Sequence, residues 1–199
     1  MKKKLITFML FLACIECFAQ SFQSEIFDPD SVNIYKAECD RLRKIYDDSA
    51  ALWKQESYTY DCYYSYGEVT LITSGNVLRI LLMDDGGEYG GAVTAYYFRE
   101  SKLYYVKSTG DYWTPQISEE EGLTASDFRH EEISLYYYNN SPFDCSSREL
   151  IYVRQEEMEA FSEIAPEVMD CSLRYDLDQV NMLFLCYPFR NFTPCLCGD

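Results

Sequence analysis

Residues 95–107 read AYYFRESKLYYVK, a pattern typical of a β-hairpin. Two short runs of aromatic and aliphatic residues, 95–98 and 103–106, flank a polar connection at Glu100-Ser101. Strands joined so tightly must run antiparallel. The unit recurs downstream, where residues 135–138 and 150–153 flank a longer turn. Because two strands alone are marginal in water, the repeated hairpin predicts one continuous meander.

On both sides of this hairpin, period-two patterns rich in β-branched and aromatic residues predict a total of seven strands. They cover residues 58–64, 68–73, 77–83, 92–99, 102–107, 132–138 and 149–154. Only the link at 108–129 is long. Apolar residues at steps of three and four predict a helix over residues 31–53. The predicted fold class is therefore α+β, with a single antiparallel meander sheet of six to seven strands and an N-terminal helix packed on one face.

The C-terminal region has a different pattern. Residues 156–165 predict a short helix that ends before Pro166, because proline cannot continue a helix. The tail from about 166 to 199 contains four cysteines and gives a mixed signal. We predict that residues 20–199 form one domain that ends in this tail.

The helix around residues 42–46, the hairpin unit at 96–106 and the Glu-rich entry into residues 133–138 together resemble a group of small exported bacterial proteins of unknown function. The resemblance covers roughly residues 31–154. It implies the meander fold and no catalytic residue. At the level of fold alone, the arrangement also resembles inhibitor-like secreted modules.

The N-terminus has the features of a secretion signal over residues 1–19: Lys2-Lys3-Lys4, an apolar run at 5–15, and Ala19 before the expected cleavage point. The apolar run is too short to span a membrane, which takes roughly twenty residues. Residues 11–14 resemble a lipobox, so a lipid anchor at Cys14 is the alternative. Cleavage after Ala19 is favoured, and the expected location is periplasmic or extracellular.

Cleavage after Ala19 leaves seven cysteines in the mature chain, and outside the cytosol these are candidates for disulfides. They are Cys39, Cys62, Cys145, Cys171, Cys186, Cys195 and Cys197. Their spacing does not determine the pairing. A zinc site is disfavoured, since the chain has one histidine and no Cys-x-x-Cys.

The chain is strongly acidic, with 17 Lys and Arg against 33 Asp and Glu, a formal charge of −16. Removing residues 1–19 takes away three lysines and one glutamate, so the charge becomes −18. Nucleic acids and anionic lipid surfaces would be repelled. A protein or a glycan is the expected partner.

No catalytic motif is recognisable, and no cofactor is predicted. His130, the single histidine, is expected to be a solvated surface imidazole rather than a catalytic base. Asp84, Asp85 and Glu88 lie in a glycine-rich stretch and are weak calcium candidates. The spacing departs from an EF-hand, and turn chemistry alone accounts for the sequence.

Tyrosine is the strongest anomaly of composition, because 15 of the 19 tyrosines lie between residues 58 and 152. Adjacent strand residues point to opposite faces, so each tyrosine pair is expected to place one ring under the helix and one on an open face. The predicted binding residues are Tyr96, Tyr104, Tyr136 and Tyr138. The leading hypothesis is a noncatalytic exported binding or inhibitor-like protein. A carboxylate-dependent hydrolase of glycosidase type and a structural envelope component are the alternatives.

Overall fold

The structure is a computed structural model that describes residues 29–62, 66–118, 122–139, 141–171, 192 and 196. Side chains at 29, 115–118, 122–126 and 155 are not part of the description. The predicted signal at residues 1–19, with Cys14, lies outside the described residues. Cys186, Cys195 and Cys197 also lie outside them.

Helix α1 covers Pro29–Ala50, close to the predicted 31–53. Proline is well suited to a first helical turn, and Asp30 in that turn complements the helix dipole. The chain divides into two compact units after Leu42. In the described part of the first unit, Arg41 and Glu38 form an exposed ion pair at 2.7 Å. The second unit contains the last turns of α1 and the sheet.

One sheet contains eight strands in chain order, and each neighbouring pair is antiparallel. The strands are β1 (Lys54–Asp61), β2 (Tyr66–Ser74), β3 (Val77–Gly87), β4 (Gly90–Arg99), β5 (Lys102–Ser118), β6 (Gly122–Tyr138), β7 (Ser141–Tyr152) and β8 (Glu167–Val168). The predicted antiparallel meander is confirmed. Six to seven strands was too low a number, because β8 has two residues and is too short to show an alternating pattern.

Two of the predicted connections belong to strands. The link expected at 108–129 is largely the extension of β5 and β6, with 17 residues each. The pairing shifts register between Thr114 and Pro115, and a bulge tolerates a proline that would interrupt a regular ladder. The long turn expected around Cys145 is also wrong, since Cys145 lies within β7.

The face of the sheet opposite the last turns of α1 is the hydrophobic core, and we call it the core face. Its buried residues include Val69, Leu71, Tyr96, Phe98, Val106, Leu135 and Tyr137. Phe192 belongs to the same cluster, and Met169, Cys171 and Leu196 pack against it. Part of the C-terminal tail therefore covers the face that the sequence predicted to be open.

The other face contacts the end of α1, and we call it the helix face. In β5, Tyr105 pairs with Tyr97 and Leu103 pairs with Phe98 of β4. Tyr104 lies between them as the extra residue of a bulge and is not aligned with any residue of β4. As a result Tyr104 and Tyr105 both face the helix, with their rings 6.3 and 5.6 Å from the Tyr97 ring. The Tyr46 ring of α1 packs edge-on against Tyr104 at 5.9 Å. The expectation that each tyrosine pair divides between the two faces is wrong here.

Two buried phenols should govern the alkaline stability. Burial and a hydrogen bond donated to Asp47 raise the pKa of Tyr97, and burial and a hydrogen bond donated to Asp85 raise the pKa of Tyr60. A raised native pKa means that these phenols stabilise the fold fully below about pH 10, the ordinary tyrosine pKa, and lose that effect as the pH rises further. We expect Tyr97 and Tyr60 to ionise only as the protein unfolds. Tyrosinate absorbance measures the ionisation, and circular dichroism measures the unfolding in the same titration. Complete tyrosine titration with an unchanged spectrum of secondary structure would contradict this.

A 3₁₀-helix at Gln155–Glu163 follows β7, where the sequence predicted a short helix at 156–165. Its Phe161 ring lies on the helix face, 4.4 Å from the His130 ring and 4.5 Å from the Arg148 guanidinium.

Among the described helices, none is both long and apolar enough to cross a membrane.

The described cysteines fall into two groups. Cys145 and Cys171 form a disulfide, and Cys62 is also disulfide-bonded. Cys39, a predicted disulfide candidate, is instead buried as a thiol. The Cys145–Cys171 bond ties the chain after β8 to the buried middle of β7.

Candidate functional site

A row of four aromatic side chains crosses the far end of the helix face. Trp113 of β5 lies opposite Phe128 of β6, which lies opposite Tyr152 of β7. Tyr89, in the turn before β4, continues the row, with its ring 5.3 Å from Trp113 and nearly perpendicular to it. The Phe128 and Tyr152 rings stack at 5.5 Å. We call these four residues the aromatic row.

The aromatic row is open to solvent at two of its four rings. Tyr89 is 44% exposed and Phe128 is 38% exposed. Trp113 is half-buried, and Tyr152, the last ring of the row, is buried. With neighbouring strands about 4.8 Å apart, the row extends over about 14 Å. Such a surface offers several ring faces to one ligand.

Backbone contacts hold the first two rings together. The Trp113 N–H donates a hydrogen bond to the Tyr89 carbonyl at 2.9 Å. Gly90 follows with a φ of +133°, and a Cβ there would lie 2.2 Å from the Asp111 carbonyl oxygen. Only glycine permits this conformation and this close approach. The sequence therefore needs Gly90 to bring Tyr89 beside Trp113.

A polar pair lies one step further along the same face. His130 of β6 and Asp111 of β5 are direct cross-strand partners, and their Nδ1 and Oδ1 atoms are 2.7 Å apart. The His130 side chain is only 12% exposed, whereas Asp111 is exposed. The predicted solvated imidazole is therefore wrong, because Phe161 covers the ring. Asp111 presents a carboxylate beside the aromatic row.

A second charged cluster lies beyond this pair. Glu132 contacts Lys107 at 2.7 Å and Arg148 at 3.0 Å. Burial alone raises the pKa of Glu132, but the two cations outweigh burial and hold its pKa below its ordinary value. An ionised, doubly paired carboxylate is unsuited to the general acid of a glycosidase, whose pKa must be raised.

The same cluster gives a test by acid titration. A lowered native pKa means that Glu132 stabilises the fold above its ordinary pKa of about 4.3, and this contribution disappears as the pH falls below that value. We expect Glu132→Gln to lose stability at pH 7 and to become indistinguishable from wild type in strong acid, measured by urea unfolding. A stability difference that is the same at both pH values would contradict this.

The four tyrosines predicted to bind do not form one open surface. Tyr96 is 1% exposed and lies in the core cluster. Tyr104 and Tyr136 are 3% and 8% exposed and lie on the helix face, where the Tyr136 ring contacts Tyr105 at 5.0 Å. Tyr138 is half-buried. An open sheet face made of these rings is therefore contradicted.

The three calcium candidates are not brought together either. Asp84 and Asp85 lie in β3 and point to opposite faces of the sheet. The Tyr60 hydroxyl donates to Asp85 on the core face at 2.7 Å. Glu88 lies in the turn that follows β3. Nor does the described part of the chain contain any group of three or more side chains arranged to hold a metal ion.

Sequence reasoning missed Trp113 and Phe128, because both lie in the stretch expected to be a long link. The adjacent aromatic residues Tyr112-Trp113 were the available signal.

Comparison with known proteins adds no assignment: no family model, no curated protein and no solved structure matches this chain.

Proposed function

We propose that this is a noncatalytic exported protein that binds a glycan through the aromatic row. The observation that carries the proposal is the line of rings at Tyr89, Trp113 and Phe128, of which the first and last are exposed, with the Asp111 carboxylate directly beside it. Sugar rings present C–H groups to aromatic faces and hydroxyl groups to carboxylates. Both kinds of partner are available side by side on this surface.

A glycan suits the surface better than a protein does. The centre of a protein interface is usually depleted of charged residues. Here an exposed carboxylate at Asp111 adjoins the rings, and the ion-paired Glu132 lies farther along the same face. Polar ligands that need hydrogen bonds as well as stacking fit this combination.

Charge restricts the kind of glycan. The chain carries a formal charge of −16, and the exposed Asp111 carboxylate lies beside the row. Acidic sugars would be repelled. We expect neutral or amino sugars to bind.

Export is part of the proposal. The signal-like N-terminal sequence supports it, as does the disulfide between Cys145 and Cys171, since disulfides persist in oxidising compartments. Cleavage after Ala19 gives the periplasmic or extracellular form, and acylation at Cys14 gives an envelope-anchored form.

An oligosaccharide array carrying neutral, amino and acidic sugars tests the binding. We expect wild type to bind neutral or amino members, and Trp113→Ala to weaken binding about tenfold, the loss typical of a central aromatic contact. Tyr112→Ala is the matched control, because Tyr112 neighbours Trp113 and is exposed but points to the other face. Loss of binding in both variants, or binding by neither wild type nor control, would contradict the proposal.

A further inference from the structure

A second candidate site lies at the β7 edge of the sheet, away from the aromatic row. A groove of about 430 Å³ separates β7 from the segment that leads from the 3₁₀-helix to β8. β7 contributes Ser147, Arg148, Glu149 and Ile151, and the facing segment contributes Ile164, Ala165 and Glu167.

The backbone of β7 points into this groove. The Cys145 carbonyl accepts a hydrogen bond from the Met169 N–H at 3.0 Å, so Cys145 presents its backbone groups away from β6. In an antiparallel strand every second residue has the same orientation. Glu149 and Ile151 therefore also direct their N–H and C=O groups outward, and both line the groove.

β8 ends before it reaches these positions. It pairs only with Ser146 and Ser147. Within residues 141–171, no other strand pairs with the outer side of β7. A short exposed edge next to a cavity is a place where another strand can add.

We propose that the groove binds an extended, basic peptide segment, which adds to β7 as a strand in line with β8. Its backbone hydrogen-bonds to Glu149 and Ile151, as in other cases of strand addition. Glu149 and Glu167 supply two carboxylates to the lining, and Arg148 supplies one guanidinium. Glu149 is ion-paired with Arg129 at 2.7 Å. The Arg148 guanidinium already contacts Glu132 and the Phe161 ring. Glu167 is then the lining carboxylate that no cation of the described residues pairs, and its charge favours a lysine or arginine side chain on the bound segment.

The probe is the capped peptide acetyl-Lys-Val-Lys-Val-Lys-amide, compared with the same peptide carrying N-methyl groups on alternate amides. We expect the first peptide at saturation to slow hydrogen exchange of the Glu149 and Ile151 amides at least about tenfold, followed by NMR. The N-methylated peptide cannot form the ladder and should leave exchange unchanged. Equal effects from the two peptides, or no effect from the first, would overturn the proposal.

Variants at Ile151 separate the backbone from the side chain. Ile151→Pro removes the outward N–H and leaves the β6 side of the ladder intact, so peptide binding should be lost. Ile151→Ala retains the N–H and should retain binding within a few-fold. Unimpaired binding to a folded Ile151→Pro protein would refute strand addition. If that variant does not fold, the N-methylated peptide decides the question.

Discussion

Replacing Cys145 and Cys171 together by alanine is expected to lower the free energy of unfolding by about 3.5 kcal/mol. The two cysteines are 26 residues apart in sequence, and closing a loop of that size restricts the unfolded chain by about this amount. The loss should be large because Cys145 is buried in the core cluster, so the bond anchors the chain after β8 to the centre of the sheet. Urea unfolding of the double variant beside wild type measures it.

Cys39→Ala is the matched control, because Cys39 is equally buried but carries a thiol. We expect it to cost no more than about 1 kcal/mol, the typical effect of a point substitution. Equal losses in the two proteins would show that the disulfide does not anchor the C-terminal segment.

The second large effect is expected at Gly90. Gly90→Ala should destabilise the protein by about 3 kcal/mol, since alanine is strained at a φ of +133° and its Cβ would lie 2.2 Å from the Asp111 carbonyl oxygen. The backbone must move, and the move separates Tyr89 from Trp113. Glycan binding should therefore weaken together with stability, as measured by thermal unfolding and by the array.

Gly75→Ala provides the comparison. Gly75 also has a positive φ, +64°, but nothing lies within 4 Å of a Cβ built there. Its cost should be about 1 kcal/mol, from the left-handed conformation alone, with glycan binding unchanged. Similar losses at both glycines would mean that the crowding at Gly90 is not important.

The meander could be predicted well because the signals that specify it lie close together in sequence. Alternating residues and short turns at Glu100-Ser101 specify neighbouring antiparallel strands without long-range knowledge. What covers each face was not predictable in the same way. The bulge at Tyr104 reverses the alternation of one tyrosine pair, and bulges leave no reliable mark in a single sequence.

The candidate site was harder to predict than the fold. The predicted rings were selected for their adjacency in sequence, and three of them are buried. The rings of the aromatic row lie on three strands and a turn, and come together only through the register of β5, β6 and β7. The contact between Asp111 and His130 could not be predicted either, because the two residues are 19 positions apart in sequence and meet only through the pairing of β5 with β6.

Tryptophan fluorescence tests the glycan proposal most directly. The chain has two tryptophans, and Trp53 packs against Tyr46 beside the helix, 5.3 Å between ring centroids. In a Trp53→Phe protein, all tryptophan emission comes from Trp113 in the aromatic row. Titration with neutral and amino oligosaccharides should produce a saturable change in that emission, and Phe128→Ala should weaken the binding. No change with either class of sugar, or a change that is unaffected by Phe128→Ala, would contradict recognition at this row.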